Sequence, residues 1–446
     1  MWTGRSATIR RSQRNGTDRA ADGSRAASGR MREVTTSENA SAPRRPRTVD
    51  EHRAFVASLL APLPAVEVPI SRALGRVLAT DVVSAVALPP FDNSAMDGYA
   101  VLAADVAAAS PESPVTLPVP EDIPAGRTDV PTLQPGTAHR IMTGAPMPVG
   151  ADAVVQVELT DGGVETVVVR GNPAAGQHVR RTGEDVMPGT TVLQAGVVLG
   201  PPQIGLLAAV GLPTVAVRRP PRVLVLSTGS ELVEPGSALA PGQIFESNGP
   251  MLAAAVTDAG GEPELLRFVP DDVEVFAELL AEKAGGVDLI LTSGGVSAGA
   301  YEVVKDALRD RGVQFVRVAM QPGGPQGAGR LDGDGPAVVT LPGNPVSSLV
   351  SFEVFVRPAL RAAMGHPHPM RPVVAAALGE ALVSPAEKRQ FRRGVLDAAD
   401  GTVREVGAPA SHLLASLALA DCLIVVPEGV SAVDKGVDVE VWLLEA

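Results

Sequence analysis

Three short stretches hold the residue types that bind anions: Ser227-Thr228-Gly229-Ser230-Glu231, Thr292-Ser293-Gly294-Gly295-Val296-Ser297 and Leu341-Pro342-Gly343-Asn344-Pro345. Glycine lets backbone N–H groups approach a phosphate or oxyanion. Hydroxyls add donors, and a helix that follows adds the positive end of its dipole. Singly, each stretch reads equally well as turn chemistry. Three of them at strand ends of one sheet describe a pocket for phosphate or an oxyanion. Neither Gly-x-Gly-x-x-Gly nor Gly-x-x-x-x-Gly-Lys-[Ser/Thr] occurs at these loops, which argues against a dinucleotide or P-loop ATPase site.

A second group lies earlier in the chain. Residues 88–101 place Asp92, Asn93, Ser94 and Asp97 in one short segment, and Arg140-Ile-Met-Thr143-Gly-Ala-Pro146 and Arg181-Thr-Gly-Glu-Asp185 add two polar, glycine-bearing loops. Asp92-Asn93 reads also as a bend and Asp97-Gly98 as a tight turn. Several carboxylates near a phosphate pocket would suit Mg²⁺, which takes oxygen ligands and substrate phosphates together.

The elements that must position these loops follow from periodicity. Residues 49–60 show a helical pattern that Pro62 and Pro64 stop, and residues 88–181 break into brief Val-rich strands. After the Arg218-Arg219-Pro220-Pro221 punctuation, strands at 222–226, 265–269, 288–292 and 338–341 alternate with helices at 248–259, 271–284, 301–311 and 347–364. That alternation predicts βαβ units and a parallel sheet covered on both faces, with ligands beyond the carboxyl ends of the strands. In this reading Asn248 is the N-cap of its helix and Pro250 lies in the first turn. Past His366 the chain returns to short strands, a small all-β domain.

Composition bounds the class. The 446 residues include 38 Lys and Arg against 50 Asp and Glu, a net charge of −12, which argues against generic nucleic-acid binding. A single cysteine excludes a disulfide framework and multi-cysteine metal sites, and is consistent with the cytoplasm. Residues 1–48 carry eleven arginines against four acids and almost no apolar residues, so they read as a disordered tail without the apolar core of a signal peptide. The uncharged stretch 190–217 is cut by glycines and prolines into pieces too short to span a membrane.

The run Phe91-Asp-Asn-Ser-Ala-Met-Asp-Gly-Tyr-Ala100, followed by Met142-Thr-Gly-Ala145, Gly183-Glu-Asp185, Ser293-Gly-Gly-Val-Ser297 and Leu341-Pro-Gly-Asn-Pro345, resembles in order the MoeA family of molybdopterin molybdenumtransferases, relatives of the gephyrin E domain. The resemblance covers about residues 49–446. It implies an elongated α/β-plus-β protomer and a homodimer with a shared active site. Its parts would be a linker domain of 49–87 plus 183–219, a β-rich insertion of 88–182, a molybdopterin-binding α/β domain of 220–365 and a C-terminal β domain of 366–446. The implied reaction takes adenylylated molybdopterin and molybdate, with Mg²⁺, leaves molybdenum on the dithiolene and releases AMP. Carried over, Asp97, Thr143, Asp185, Glu231 and Glu302 would be catalytic, with Asp185 and Glu231 at the metal. Ser227, Thr228, Gly229, Ser293, Gly294, Gly295, Ser297, Lys305, Arg317, Gln321, Pro342, Gly343, Asn344 and Pro345 would bind substrate.

One departure stands out. Where many members carry Lys-Pro-Gly-Lys-Pro, this chain has Gln321-Pro-Gly-Gly-Pro325, and the lysine four places earlier is Arg317; Lys305 and Arg330 are the nearby candidates to replace the lost charge. Two functions therefore compete: the molybdenum insertase, and a catalytically weak or inactive gephyrin-like scaffold that binds protein partners, for example in cell division.

Overall fold

The computed structural model describes residues 45–269, 272–294 and 303–444. Gly295, Ser297 and Glu302 lie outside the described residues, as does the arginine-rich segment through residue 44. The chain divides into two compact units, Pro64–Arg218 and the remainder.

The larger unit is built on a six-stranded sheet. Its elements are helix α1 (Val49–Ser58), β1 (Arg222–Thr228), α2 (Asn248–Asp258), β2 (Glu262–Val269), α3 (Val273–Lys283), β3 (Leu289–Ser293), α4 (Val303–Leu308), β4 (Val313–Arg317), β5 (Pro325–Arg330), β6 (Ala337–Leu341), α5 (Pro345–Ser351) and α6 (Arg357–Ala363). The sheet order is β2-β1-β3-β6-β5-β4. The first four strands run parallel as the alternation predicts, whereas β5 and β4 join antiparallel at one edge. The Pro-Gln-Gly-Ala-Gly-Arg sequence of β5 has no β-branched residue to announce it.

Alternation along β1 explains the two layers. Val223 and Val225 join one core with α2 residues Leu252 and Val256, while Leu224 and Leu226 join the other with Phe276 and Leu280 of α3. The final helix is not continuous: five buried residues, Phe352–Val356, form a π-type turn between α5 and α6. Against that turn lies α1, whose Thr48 and Glu51 form a capping box. The helix at the start of the expected linker domain thus packs on the sheet domain, and the unit boundary falls after Leu63.

Five further strands, β7 (Val373–Leu378), β8 (Arg389–Asp397), β9 (Thr402–Glu405), β10 (Cys422–Val426) and β11 (Asp438–Leu443), run in the order β8-β9-β7-β11-β10, and β10 pairs back with β8 to close a small barrel. A two-residue strand, Met320–Gln321, adds in parallel to β8 and ties the Gln321 turn to the barrel. Buried charge strengthens the junction: Arg371 donates to Glu353, which is 4% exposed, and to Asp258, which also pairs with Arg357.

The second unit has its own cores. Residues 65–69 pair antiparallel with 214–218, and Leu78, Leu199 and Val217 pack with Leu207 of helix Pro201–Ala209, which occupies the middle of the uncharged stretch. Between them, strands 98–101, 139–141 and 153–156 form one sheet and 115–118 with 166–169 a second pair. No helix among the described residues is long and apolar enough to cross a membrane.

Candidate active site

The sheet register sets the three glycine loops side by side. Ser227 at the end of β1 pairs with Ser293 at the end of β3, and Ser293 pairs with Leu341 at the end of β6. The chain passes from β1 outward to β2 and then returns to β3 on the other side, so β1 and β3 flank the topological switch point where open α/β sheets bind ligands. Beyond these ends lies a cavity of about 1060 Å³. Its wall includes Ser227, Thr228, Gly229, Glu231, Ser293, Gly294, Gln321, Pro342, Gly343, Asn344 and Pro345, all singled out in the sequence.

Asn248 holds two of the loops together, and it is not the N-cap that its position predicts. Its Nδ2 donates to Ser293 Oγ at 2.7 Å and to the Gly343 carbonyl at 2.7 Å, while Ser247 occupies the cap position. Just before it, Glu246 is 1% exposed and accepts the Gly249 N–H through Oε1 at 2.6 Å. Three atoms of cavity-wall residues are buried without a hydrogen-bond partner: Glu246 Oε2, Ser227 Oγ and Asn248 Oδ1.

The barrel supplies the opposite wall. Pro409, Ala410, Ser411 and His412 face the cavity from a loop that β8 clamps through Arg393, whose guanidinium donates to the carbonyls of Val406, Ala408 and Ala410. Asn344 Nδ2 donates to Ser411 Oγ at 2.8 Å, and the Val346 N–H donates to the Ser411 carbonyl. Glu246, Asn248, Ser411 and His412 were not selected as site residues from the sequence. Their neighbours are distant in the chain, and only the Asn344 loop gave a local signal.

Charge is distributed unexpectedly. Among the described residues, no lysine or arginine lines the cavity; its ionisable side chains are Glu231, Glu246 and His412. Arg330 cannot replace the absent lysines, because its guanidinium donates to the carbonyls of Gly335 and Leu59. Lys305 on α4 and Arg317 at the end of β4 are also absent from the wall. Gln321 reaches it, accepting a 3.3 Å hydrogen bond from the buried Gln390. Beneath this turn Gln326 donates to the Gly323 carbonyl and to Ser351 Oγ, each at 2.7 Å.

No group of three His, Cys, Asp or Glu side chains gathers as a metal site among the described residues. Glu231, exposed, folds its carboxylate over Gly229, 2.7 Å from the point a Cβ there would occupy. A single cavity carboxylate of this kind fits Mg²⁺ held chiefly by substrate phosphates and water, rather than by a protein cage.

The remaining residues carried over by resemblance belong to the second unit. Asp97 Oδ1 accepts both the Thr143 N–H at 2.6 Å and its hydroxyl at 2.7 Å, so two motifs 46 residues apart form one cluster. Donation from the Thr143 backbone and side chain holds the Asp97 carboxyl below its ordinary range. Gly98 follows because a Cβ there would lie 1.9 Å from the Val155 carbonyl oxygen. Asp92 is a clasp: it accepts from Thr182 N–H, Thr182 Oγ1 and Arg181, and these donors depress its pKa. Asp185 is exposed, with its N–H bonded to the Leu88 carbonyl.

Three family models match in sequence order: the MoeA N-terminal region, domains I and II, over residues 47–211; a probable molybdopterin binding domain over 224–362; and the MoeA C-terminal region, domain IV, over 375–444. The chain is 56% identical over 403 residues to molybdopterin molybdenumtransferase 2 of Mycobacterium tuberculosis, covering 89% of this chain and 99% of that one. Molybdopterin molybdenumtransferase 1 of the same organism is 40% identical, with the same two coverages. Two crystal structures of a Pyrococcus horikoshii MoeA protein match with TM-scores of 0.78 and 0.75 at 33% and 30% identity, covering 90% of this chain and 100% of each.

Proposed function

The chain belongs to the MoeA family of molybdopterin molybdenumtransferases, and from that membership we propose that it acts in molybdenum cofactor biosynthesis, moving molybdenum from molybdate onto adenylylated molybdopterin with release of AMP. The observation that carries the reading is the convergence of three strand-end loops in register on one large cavity. Its volume, about 1060 Å³, suits a pterin joined to a nucleotide. Backbone N–H groups and hydroxyls of the loops hold pterin and phosphates, with Gln321 and the Pro342–Pro345 stretch completing the substrate wall.

Glu231 would hold Mg²⁺, which neutralises the phosphates and polarises the anhydride being broken. We assign Asp97, Thr143 and Asp185 the catalytic roles that the family resemblance gives them, Asp185 also at the metal, in a cytoplasmic homodimer with a shared active site. The domain boundaries given by the resemblance belong to the same proposal, with 45–63 reassigned to the sheet domain. The relatives named as molybdopterin molybdenumtransferases favour the insertase over the scaffold reading.

The test is to mix the purified chain with adenylylated molybdopterin, molybdate and Mg²⁺, and to measure AMP and protein-bound molybdenum. Stoichiometric AMP release dependent on molybdate is expected. Absence of both substrate binding and AMP release would overturn the insertase.

A further inference from the structure

The proposed reaction does not account for one feature of the cavity. Glu246 is a carboxylate at 1% exposure with one oxygen committed to the Gly249 N–H and the other, Oε2, without a partner. Ser227, also 1% exposed, has an unpartnered Oγ. The two atoms lie 3.0 and 3.1 Å from a single point, the position a Cβ on Gly249 would take, and Leu265 Cδ1 lies 2.8 Å from the same point, so only glycine fits beside the pair. A buried acceptor without a donor is costly, and a carboxylate oxygen more so, unless a ligand supplies the donor.

We infer that Glu246 Oε2 and Ser227 Oγ are the acceptor pair that reads the amino edge of the pterin. This rests on the insertase reading and adds the ligand's orientation to it. A pterin carries a ring N3–H and a 2-amino group side by side, two donors on one edge, which two neighbouring acceptors match. Asn248, two residues on from Glu246, braces the adjoining loops through Ser293 and Gly343, so the pair sits on fixed elements. With the amino edge seated at the end of β1, the rest of the ligand extends toward the loops after β3 and β6.

Pterin and lumazine distinguish this arrangement, because lumazine carries a carbonyl at position 2, where pterin carries the amino group. Fluorescence titration of the full chain should show pterin bound at least about tenfold more tightly than lumazine, the scale of one buried acceptor left without its donor. Glu246→Gln keeps an oxygen for the Gly249 N–H and turns the other position into a donor, so its preference should vanish or reverse. Ser227→Ala, which leaves charge unchanged, should lower pterin affinity without reversing the order, and it carries the test should Glu246→Gln lose its melting transition. Equal affinity of the wild type for the two pteridines overturns the inference, as does a Glu246→Gln protein that still prefers pterin. A titration with AMP runs alongside. Binding of AMP without discrimination between pteridines rejects only this assignment, whereas failure to bind AMP and both pteridines rejects the insertase reading with it.

Discussion

At the scale of single residues, the cavity depends on side chains whose work is to hold loops. Asn248 joins Ser293 to Gly343, so Asn248→Ala should cost about 1–2 kcal/mol of stability, from two lost hydrogen bonds. Turnover should fall further, on the order of tenfold or more, because the loops lose their mutual registration. Thermal melts beside AMP-release rates check the pair of effects; a loss of stability with unchanged rate would show that the loops hold their places without it. Charge can be tested at the Gln321 turn. A Cβ at Gly324 would meet only the Val318 and Met320 carbonyl oxygens, at 3.5 and 3.7 Å, so the double substitution Gln321→Lys and Gly324→Lys fits the backbone. It should tighten molybdate or AMP binding by about threefold to tenfold at low salt and steepen the salt dependence. Calorimetry at two ionic strengths reads both, and unchanged affinity would place the anion away from this turn.

At the scale of elements, α1 carries a buried histidine that faces the ring of Phe355 edge-on at 4.7 Å. Burial, with the nearby Arg47 charge, lowers the His52 pKa to about 4 from 6.5. The folded state therefore prefers the neutral ring: the stability this confers is fully present above about pH 6.5 and is lost as pH falls toward 4. The loss across that window is roughly 3 kcal/mol. His52→Phe should flatten that part of the stability-against-pH curve in urea titrations, and an unaltered slope would assign the dependence to other groups. Glu353 offers a second test, since it lies buried between Arg371 and Arg357. Glu353→Gln leaves Arg371 and Arg357 to share the single carboxylate of Asp258 and should cost roughly 3 kcal/mol, measured by denaturant midpoint.

The same scale shows what could be read from sequence. The β1, β3 and β6 loops were legible because Gly, Ser, Pro and Asn mark turns whatever surrounds them, and alternation of apolar runs marked the parallel strands. The edge strand β5 was not, for its glycines and proline read as loop. In sequence Asn248 reads as a cap, because its two partners, 45 and 95 residues away, leave no trace in the local pattern. Ser411 enters the site through contacts between the barrel and α5, which only the tertiary structure brings about.

For the whole molecule, the proposed homodimer should appear as a dimer mass by light scattering at micromolar concentration, and a monomer would remove the shared site from the proposal. The cavity itself carries a consequence for which anions it accepts. The described residues of the wall include no lysine or arginine, so they offer an oxyanion no permanent side-chain cation. Entry is governed instead by the work of stripping water from the ion, and that work grows as the ion shrinks. Sulfate and phosphate are smaller than molybdate and more tightly hydrated, so under the insertase reading they should bind more weakly than molybdate, where a lysine pair would hold all three. A turn without cations would then trade strength of hold for choice of guest.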